Sequence, residues 1–338
     1  MSLASPAPSL PSKGDITMQI QDFKIAAEAL GSSLKQTCRN KGLDVEMAAS
    51  RHIADRHLYH WRSGFGGAVK MVKGGCLFDQ HLRPTEDLDI VTPVRWTETE
   101  LEKGFARIAE ALRTEGISID KIKVKELDVT DVDPVVRVVI QGKCGTLRGN
   151  THVDITYASG PFAFPQDVQP QELPSLLPKK FPGAVVHAQP LAASAAEKWL
   201  AVLTQRDDDC RAKHALDLLS FDEMGVDPDA VAVELLRVAR HRRIPLTSCS
   251  PSPKALDWIA FLLRADSWDR TAAQRRIDGF DLLQSHAMLN DYWARTHQAL
   301  TRAVIAQVRR DNRTKPSLVD RLAAGQIAPG YRPPQPTP

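Results

Sequence analysis

Apolar residues recur at helical spacing from about residue 17 to 62, with Ile20, Phe23, Ala27, Leu30 and Leu34 on one stripe, and the pattern breaks at Gly42. Two helices are predicted here, ahead of a turn at the SGFGG run, 63–67. The pattern then changes. Ala68–Lys73 reads as a strand, Gly74–Leu82 as a short helix and Leu88–Val91 as a strand closed by Pro93. Thr97–Arg113 reads as an amphipathic helix. Thr97 and Glu100 stand in capping-box order at its start, and Leu101, Phe105, Ile108 and Leu112 fall on one face.

Between about 120 and 157 β-branched residues crowd into KIKVKELDV, VVRVVI and THVDITY, with Gly142, Gly145 and Gly149 as turn markers, so the sheet is expected to continue antiparallel. After 190 the helical period returns. ASAAEKWLAVL, AKHALDLLSF, AVAVELLRVA, ALDWIAFLL and a stretch near 285–308 all carry it. The expected architecture is α+β: an α/β domain over 15–160 with a small mixed sheet and a helical preface, a Pro-containing connection over 161–189, and an all-helical domain over 190–328. Residues 1–14 and 329–338 are rich in Pro, Ser and Gly and read as disordered tails. No internal repeat is visible.

At 338 residues, 43% hydrophobic and 25% charged, the chain has the composition of an ordinary globular protein, which excludes a fibrous or wholly disordered one. It carries neither a leader-like N-terminus nor a run of about 18 apolar residues, so a cytoplasmic protein without membrane partners is expected. Cys38, Cys76, Cys144, Cys210 and Cys249 are scattered and read as isolated thiols rather than a disulfide framework or zinc site. The net charge of +3 is modest, but Arg237, Arg240, Arg242 and Arg243 form one basic cluster and Arg302, Arg309, Arg310, Arg313 and Lys315 another. Each suits either a solvated helix face or a grip on a phosphate-bearing substrate.

The densest chemistry lies at Lys73-Gly74-Gly75 followed by Arg83-Pro84-Thr85-Glu86-Asp87-Leu88-Asp89-Ile90. Two glycines between a strand and a helix let backbone approach a ligand, and a helix N-terminus offers unpaired N–H groups that suit a phosphate. Alternate strand residues point the same way, so Asp87 and Asp89 present both carboxylates on one side, where a hard cation such as magnesium would relieve their repulsion. A third carboxylate, Asp154, stands in His152-Val153-Asp154-Ile155, again in strand-like alternation. Three carboxylates on neighbouring strands suit a two-metal phosphoryl-transfer site, and Asp154 is also a candidate proton acceptor.

KGGCLFDQHLRPTEDLDIV resembles the signature of the AbiEii/AbiGii family of nucleotidyltransferase toxins, in which a strand ends in Lys-Gly-Gly and an Arg-x-Ser/Thr-x-Asp-x-Asp strand follows. The likeness extends to Ala195-Ala196-Glu197-Lys198-Trp199-Leu200-Ala201 and to Arg211–Leu218, and so covers about 60–220. It implies a polymerase-beta-like nucleotidyltransferase core, magnesium, and transfer of a nucleoside monophosphate from a nucleoside triphosphate to an acceptor such as the tRNA 3' end. It further implies a toxin–antitoxin or phage-abortive setting, with an antitoxin from a neighbouring gene acting with or without direct binding. By the likeness Gly74, Gly75, Arg83 and Lys198 contact the nucleotide's phosphates, Asp87 and Asp89 hold magnesium, and Asp217 completes the catalytic set; Lys73 and Thr85 are counted with the nucleotide contacts, and Asp154 with the metal ligands and catalytic residues. His214 departs from the pattern, standing where the family commonly has an acidic residue.

From the residues alone, Lys198 amid Trp199, Leu200, Val202 and Leu203 needs an anionic partner, which could be a nucleotide phosphate or simply Glu197 or Asp217. Lys213 and Asp217 stand at i, i+4, the spacing of an ordinary surface pair. His52, His57 and His60 lack metal-site spacing and read as surface histidines; GKCGTLRG, 142–149, reads as a hairpin rather than a P-loop. Trp258, Phe261, Leu262 and Trp293 are spaced as helix core. Two rival readings remain: an antibiotic-modifying nucleotidyltransferase, against which the basic C-terminal half argues, and a catalytically idle RNA- or protein-binding module.

Overall fold

The computed structural model describes residues 13–67, 71–77, 85, 87–127, 133–160, 163–165, 168–204, 208–245 and 281–314. The elements in order are α1 (Lys13–Lys41), α2 (Val45–Tyr59), α3 (Trp61–Phe65), β1 (Met71–Lys73), a 3-10 turn (Gly75–Leu77), β2 (Asp87–Thr92), α4 (Glu98–Arg113), β3 (Ile117–Leu127), β4 (Val135–Cys144), β5 (Leu147–Tyr157), β6 (Gln169–Glu172) and β7 (Val185–Ala188). The helices α5 (Leu191–Thr204), α6 (Asp208–Glu223), α7 (Pro228–His241) and α8 (Leu282–Thr314) follow. The Trp258–Leu262 stretch, Cys249, Arg313's side chain, Lys315 and the tail 329–338 lie outside the described residues. Lys13 and Gly14, expected in the N-terminal tail, already belong to α1.

Seven strands form one mixed sheet in the order β3-β4-β5-β2-β1-β7-β6. β3, β4 and β5 are antiparallel neighbours, as the β-branched runs predicted; β2 then joins β5 in parallel and β1 in antiparallel. β7 adds in parallel to β1, and β6 closes the edge. The segment 161–189, expected as a plain connection, therefore supplies two strands, with the Val185-Val186-His187-Ala188 run short but alternating in burial.

One face of the sheet is apolar. Val72, Leu88, Ile90, Val138, Ile140, Val153 and Ile155 are almost fully buried and share a core with Phe105, Ile108 and Leu112 of α4 and Ile53 of α2. Burying each such side chain contributes roughly 1.5–3 kcal/mol. The capping box at α4 forms as the sequence predicted, with Thr97 Oγ1 accepting from Glu100 N and Glu100 accepting from Thr97 N. α2 lies across β5 and is buried on nearly every side. Gly142 and Gly149, expected as turn residues, instead face each other within β4 and β5; only Gly145 sits in the hairpin turn. The reasons are close neighbours: a Cβ on Gly149 would lie 2.9 Å from Ser50 N of α2, and one on Gly142 would lie 2.5 Å from Ser118 O of β3.

His52 and His57, expected at the surface, are wholly buried in α2. Burial lowers both pKa values to about 4, so they pack as neutral rings, and His57 Nδ1 donates 2.7 Å to Ile53 O. His60 alone stays partly exposed, on Glu115. The run 63–65, expected as a turn, completes α3, whose Trp61 and Phe65 pack with Trp96 and Phe105.

A second apolar core joins α5 to α8, built on Trp199, Leu200, Phe221, Val231, Leu235, Tyr292, Trp293 and Leu300. Trp293 sits there as the helical spacing predicted. The two cores meet across polar contacts: Lys73 with Glu197, and His241 with Asp133.

Candidate active site

The face of the sheet away from α2 carries the polar alternate residues. In β2, Leu88 and Ile90 point into the core, so Asp87 and Asp89 point out together, as strand alternation requires. Register then sets their neighbours. Asp89 faces Lys73 on one side and Asp154 on the other, while Asp87 faces His152. Arg137 of β4 is in turn the partner of Asp154. Five charged side chains and one histidine from four strands thus share one surface.

Gly74 explains how Asp89 fits. Its φ of +80° belongs to the left-handed region, and a Cβ there would lie 1.8 Å from Asp89 Oδ2. The glycine predicted to cradle a ligand makes room for the carboxylate itself. Of the short helix expected over 74–82, the described residues show a buried 3-10 turn, Gly75–Leu77; residues 78–84, with Arg83, lie outside the described residues. Thr85 is buried, and its Oγ1 accepts from Asp87 N at 3.3 Å, shaping the entry to β2. Behind the loop stands a residue the sequence reading missed: Arg51 of α2 is 1% exposed, pairs with Asp55 at 2.6 Å and donates 2.5 Å to Cys76 O. The i, i+4 pair Arg51–Asp55 on a helix was its visible signal.

The helical half closes the site from the other side. Lys73, Gly74, Asp89, Gln189, Ser194, Glu197 and Lys198 line one cleft of about 120 Å³. Glu197 lies 3.5 Å from Lys73 and 4.0 Å from Arg242, and accepts from Gln189 Nε2 at 2.9 Å; Ser194 Oγ donates to Gln189 Oε1. Burial alone would raise the Glu197 carboxyl, but Lys73, Arg242, Gln189 and Lys198 hold it at about 2. Gln189 is itself fixed by its backbone N–H on Val72 O. Lys198 Nζ stands 3.4 Å from Asp217 Oδ2, whose side chain is 4% exposed. Asp217 is thus a buried carboxylate facing a lysine of the neighbouring helix, not a surface residue. His214, 4.0 Å from it, is lowered by burial.

The electrostatics favour a cation beside Asp89. Burial raises its pKa, Asp154 and Asp87 add to the rise, and Lys73 and Lys198 only partly offset it. Burial would raise Asp87 too, but the hydrogen bond and charge of His152, 3.0 Å away, carry it below the ordinary range. Asp154 is engaged differently: Arg137 Nε and Nη2 donate to its two oxygens at 2.7 Å each. Among the described residues no group of three or more candidate ligand side chains is gathered for a metal. Asp87 and Asp89 still fit magnesium, being two oxygen donors on one face of β2, with Asp89 seated in the space that the missing side chain of Gly74 leaves. Of the partners missed in the sequence, His152 was the most legible, since it shares the parity of Asp154, whereas Arg137 and Gln189 carried no local signal; Arg242, noted in the first basic cluster, meets Glu197.

A family model described as "Nucleotidyl transferase AbiEii toxin, Type IV TA system" matches residues 58–306. The chain belongs to the AbiEii nucleotidyltransferase toxin family. The activity the family carries is nucleotidyl transfer, and its setting is a toxin–antitoxin system. Solved structures similar to this AbiEii chain include JHP933 from Helicobacter pylori, at 15% identity and TM-score 0.45 over 79% of this chain and 98% of that one. Another is MenT4, a nucleotidyltransferase toxin from Mycobacterium tuberculosis, at 17% identity and TM-score 0.43 over 78% of this chain and 98% of that one. No curated protein matches by sequence. Among the described residues, no helix is long and apolar enough to cross a membrane.

Proposed function

We propose that this chain moves a nucleoside monophosphate from a nucleoside triphosphate to a hydroxyl of an RNA acceptor, such as the tRNA 3' end, with magnesium held by Asp87 and Asp89. The observation that carries the reading is the single cleft in which Asp89, Gly74, Lys73 and Lys198 converge from the sheet and from α5. The oxygen of the acceptor hydroxyl attacks the α-phosphorus and its proton passes to solvent, while the bond from the α-phosphorus to the oxygen bridging to the β-phosphate breaks and pyrophosphate leaves with that oxygen. Magnesium, when bound, neutralises phosphate charge and orients the triphosphate.

The remaining work belongs to the chain. Lys73 and Lys198 are cations held ready on carboxylates, Glu197 and Asp217, which the nucleotide's phosphates displace or supplement. Gly74 leaves room for the Asp89 carboxylate, which a side chain there would push out of place. Asp217 and Gln189 position Lys198 and Glu197 and do not touch the reacting atoms. The exposed Arg302, Arg309 and Arg310 of α8 offer charge for an RNA backbone. We place the boundary between the catalytic and helical domains near residue 190, where the two apolar cores part. The biological reading is a cytoplasmic toxin that arrests growth during phage infection and is countered by the product of a neighbouring gene.

Incubation of the purified protein with total RNA, magnesium and each of the four labelled triphosphates tests this, with Asp89→Ala beside it. Label in RNA that is absent from the variant is the expected result. No transfer with any nucleotide under several divalent metals would refute it and favour an idle binding module.

A further inference from the structure

Asp87, Asp89 and Asp154 would suit two divalent ions if all three carboxylates were open. β4 changes this. Arg137 and Asp154 are cross-strand partners, and the guanidinium donates to both carboxylate oxygens at 2.7 Å, the fork-to-fork geometry in which each oxygen has a charged donor. A second ion on Asp154 would have to displace this pair or lie against a permanent positive charge. The other cations of the site are also matched: Lys73 lies by Glu197, and Lys198 by Asp217. What is left on the face is Asp87 and Asp89, two negative charges with His152 at the outer one. That suits one divalent ion.

We infer that Arg137 stands in for a second metal ion, so that the site binds a single divalent cation on Asp87 and Asp89 while Asp154 serves as the anchor of Arg137 and not as a ligand. Arg137 is partly exposed on the same face as Asp87, so its charge is carried into the site by the sheet itself, at a place fixed by strand register. This rests on the proposed magnesium site.

The test counts ions rather than turnover. Manganese is titrated into the full chain and free Mn²⁺ followed by electron paramagnetic resonance, for wild type, Asp89→Asn, Arg137→Gln and the charge-neutral double variant Arg137→Gln/Asp154→Asn. Wild type takes up one ion per chain, lost in Asp89→Asn. The double variant still binds one, with affinity within about threefold of wild type, because neither residue touches the ion. Arg137→Gln alone gains a second ion through the freed Asp154. Should that variant fail to fold by circular dichroism, the double variant decides. Two ions in wild type falling to one in the double variant, or a drop in its affinity of about tenfold or more, would overturn the inference and leave the magnesium reading standing. Uptake that is absent, or indifferent to Asp89→Asn, would overturn both.

Discussion

Gly74→Ala puts the site's geometry to its sharpest test. Two costs act at once. The residue's φ of +80° strains any side-chain-bearing residue by about 1–3 kcal/mol. The new methyl carbon would also lie 1.8 Å from Asp89 Oδ2, about half an ordinary contact, so the carboxylate must swing away by more than about 1 Å. A displacement of that size at a reacting centre costs on the order of 100-fold in rate. Gly42→Ala supplies the control: its φ is +64°, yet a Cβ there meets nothing within 4 Å, so it carries the strain without the collision. Thermal melting should show the strain alone in Gly42→Ala and a loss at least as large in Gly74→Ala, at about 2–4 °C per kcal/mol. Nucleotide transfer should fall by about two orders of magnitude in Gly74→Ala and stay near wild type in Gly42→Ala. If Gly74→Ala transfers within about threefold of Gly42→Ala, the claim that this glycine makes room for Asp89 is wrong.

Lys198→Met is expected to abolish transfer and also to destabilise the fold by about 3–5 kcal/mol, because Asp217 is left buried without its lysine; adding Asp217→Asn should restore urea resistance but not activity. Glu115, on His60 and Arg56, is raised by burial but pulled by those partners down to about 2 from 4.5, which corresponds to about 3 kcal/mol of stability that is present above pH 4.5 and lost as pH falls towards 2. The stability gap between wild type and Glu115→Gln, read by urea denaturation, should shrink over that window; a gap constant from pH 7 to pH 2.5 would contradict it. His52 and His57, lowered by burial to about 4, take up protons on unfolding as pH falls from 6.5 to 4, so stability declines there. Replacing His52 by Gln should flatten that decline, and an unchanged slope would show that the ring is not buried neutral.

Local patterns in the chain gave away whatever depends on residues close together in sequence. The capping box at Thr97 and Glu100 and the outward pair Asp87 and Asp89 follow from spacing alone, and both appear in the fold. What escaped depends on pairings between distant strands. That Arg137 meets Asp154 is decided by the register of β4 on β5, seventeen positions apart through a hairpin whose turn lies at Gly145. Gln189 and Glu197 belong to the cleft because β7 docks in parallel on β1, and β7 is four residues long after a Pro-containing stretch with little apolar density. The buried histidines of α2 were misread for a related reason: a helix enclosed on all sides shows no polar stripe, and only its neighbours reveal it.

The family match begins at residue 58, but the sheet's apolar face is roofed by α2, 45–59, with α1 packed behind it. The stretch that is recognisable by likeness is therefore not the stretch that folds. Cutting the chain at the start of the match would remove α1 and nearly all of α2 from the core that Ile53 shares with Val138, Ile140 and Val153, and bare the part of the sheet that α4 does not cover; relatedness and autonomy have different borders in this molecule.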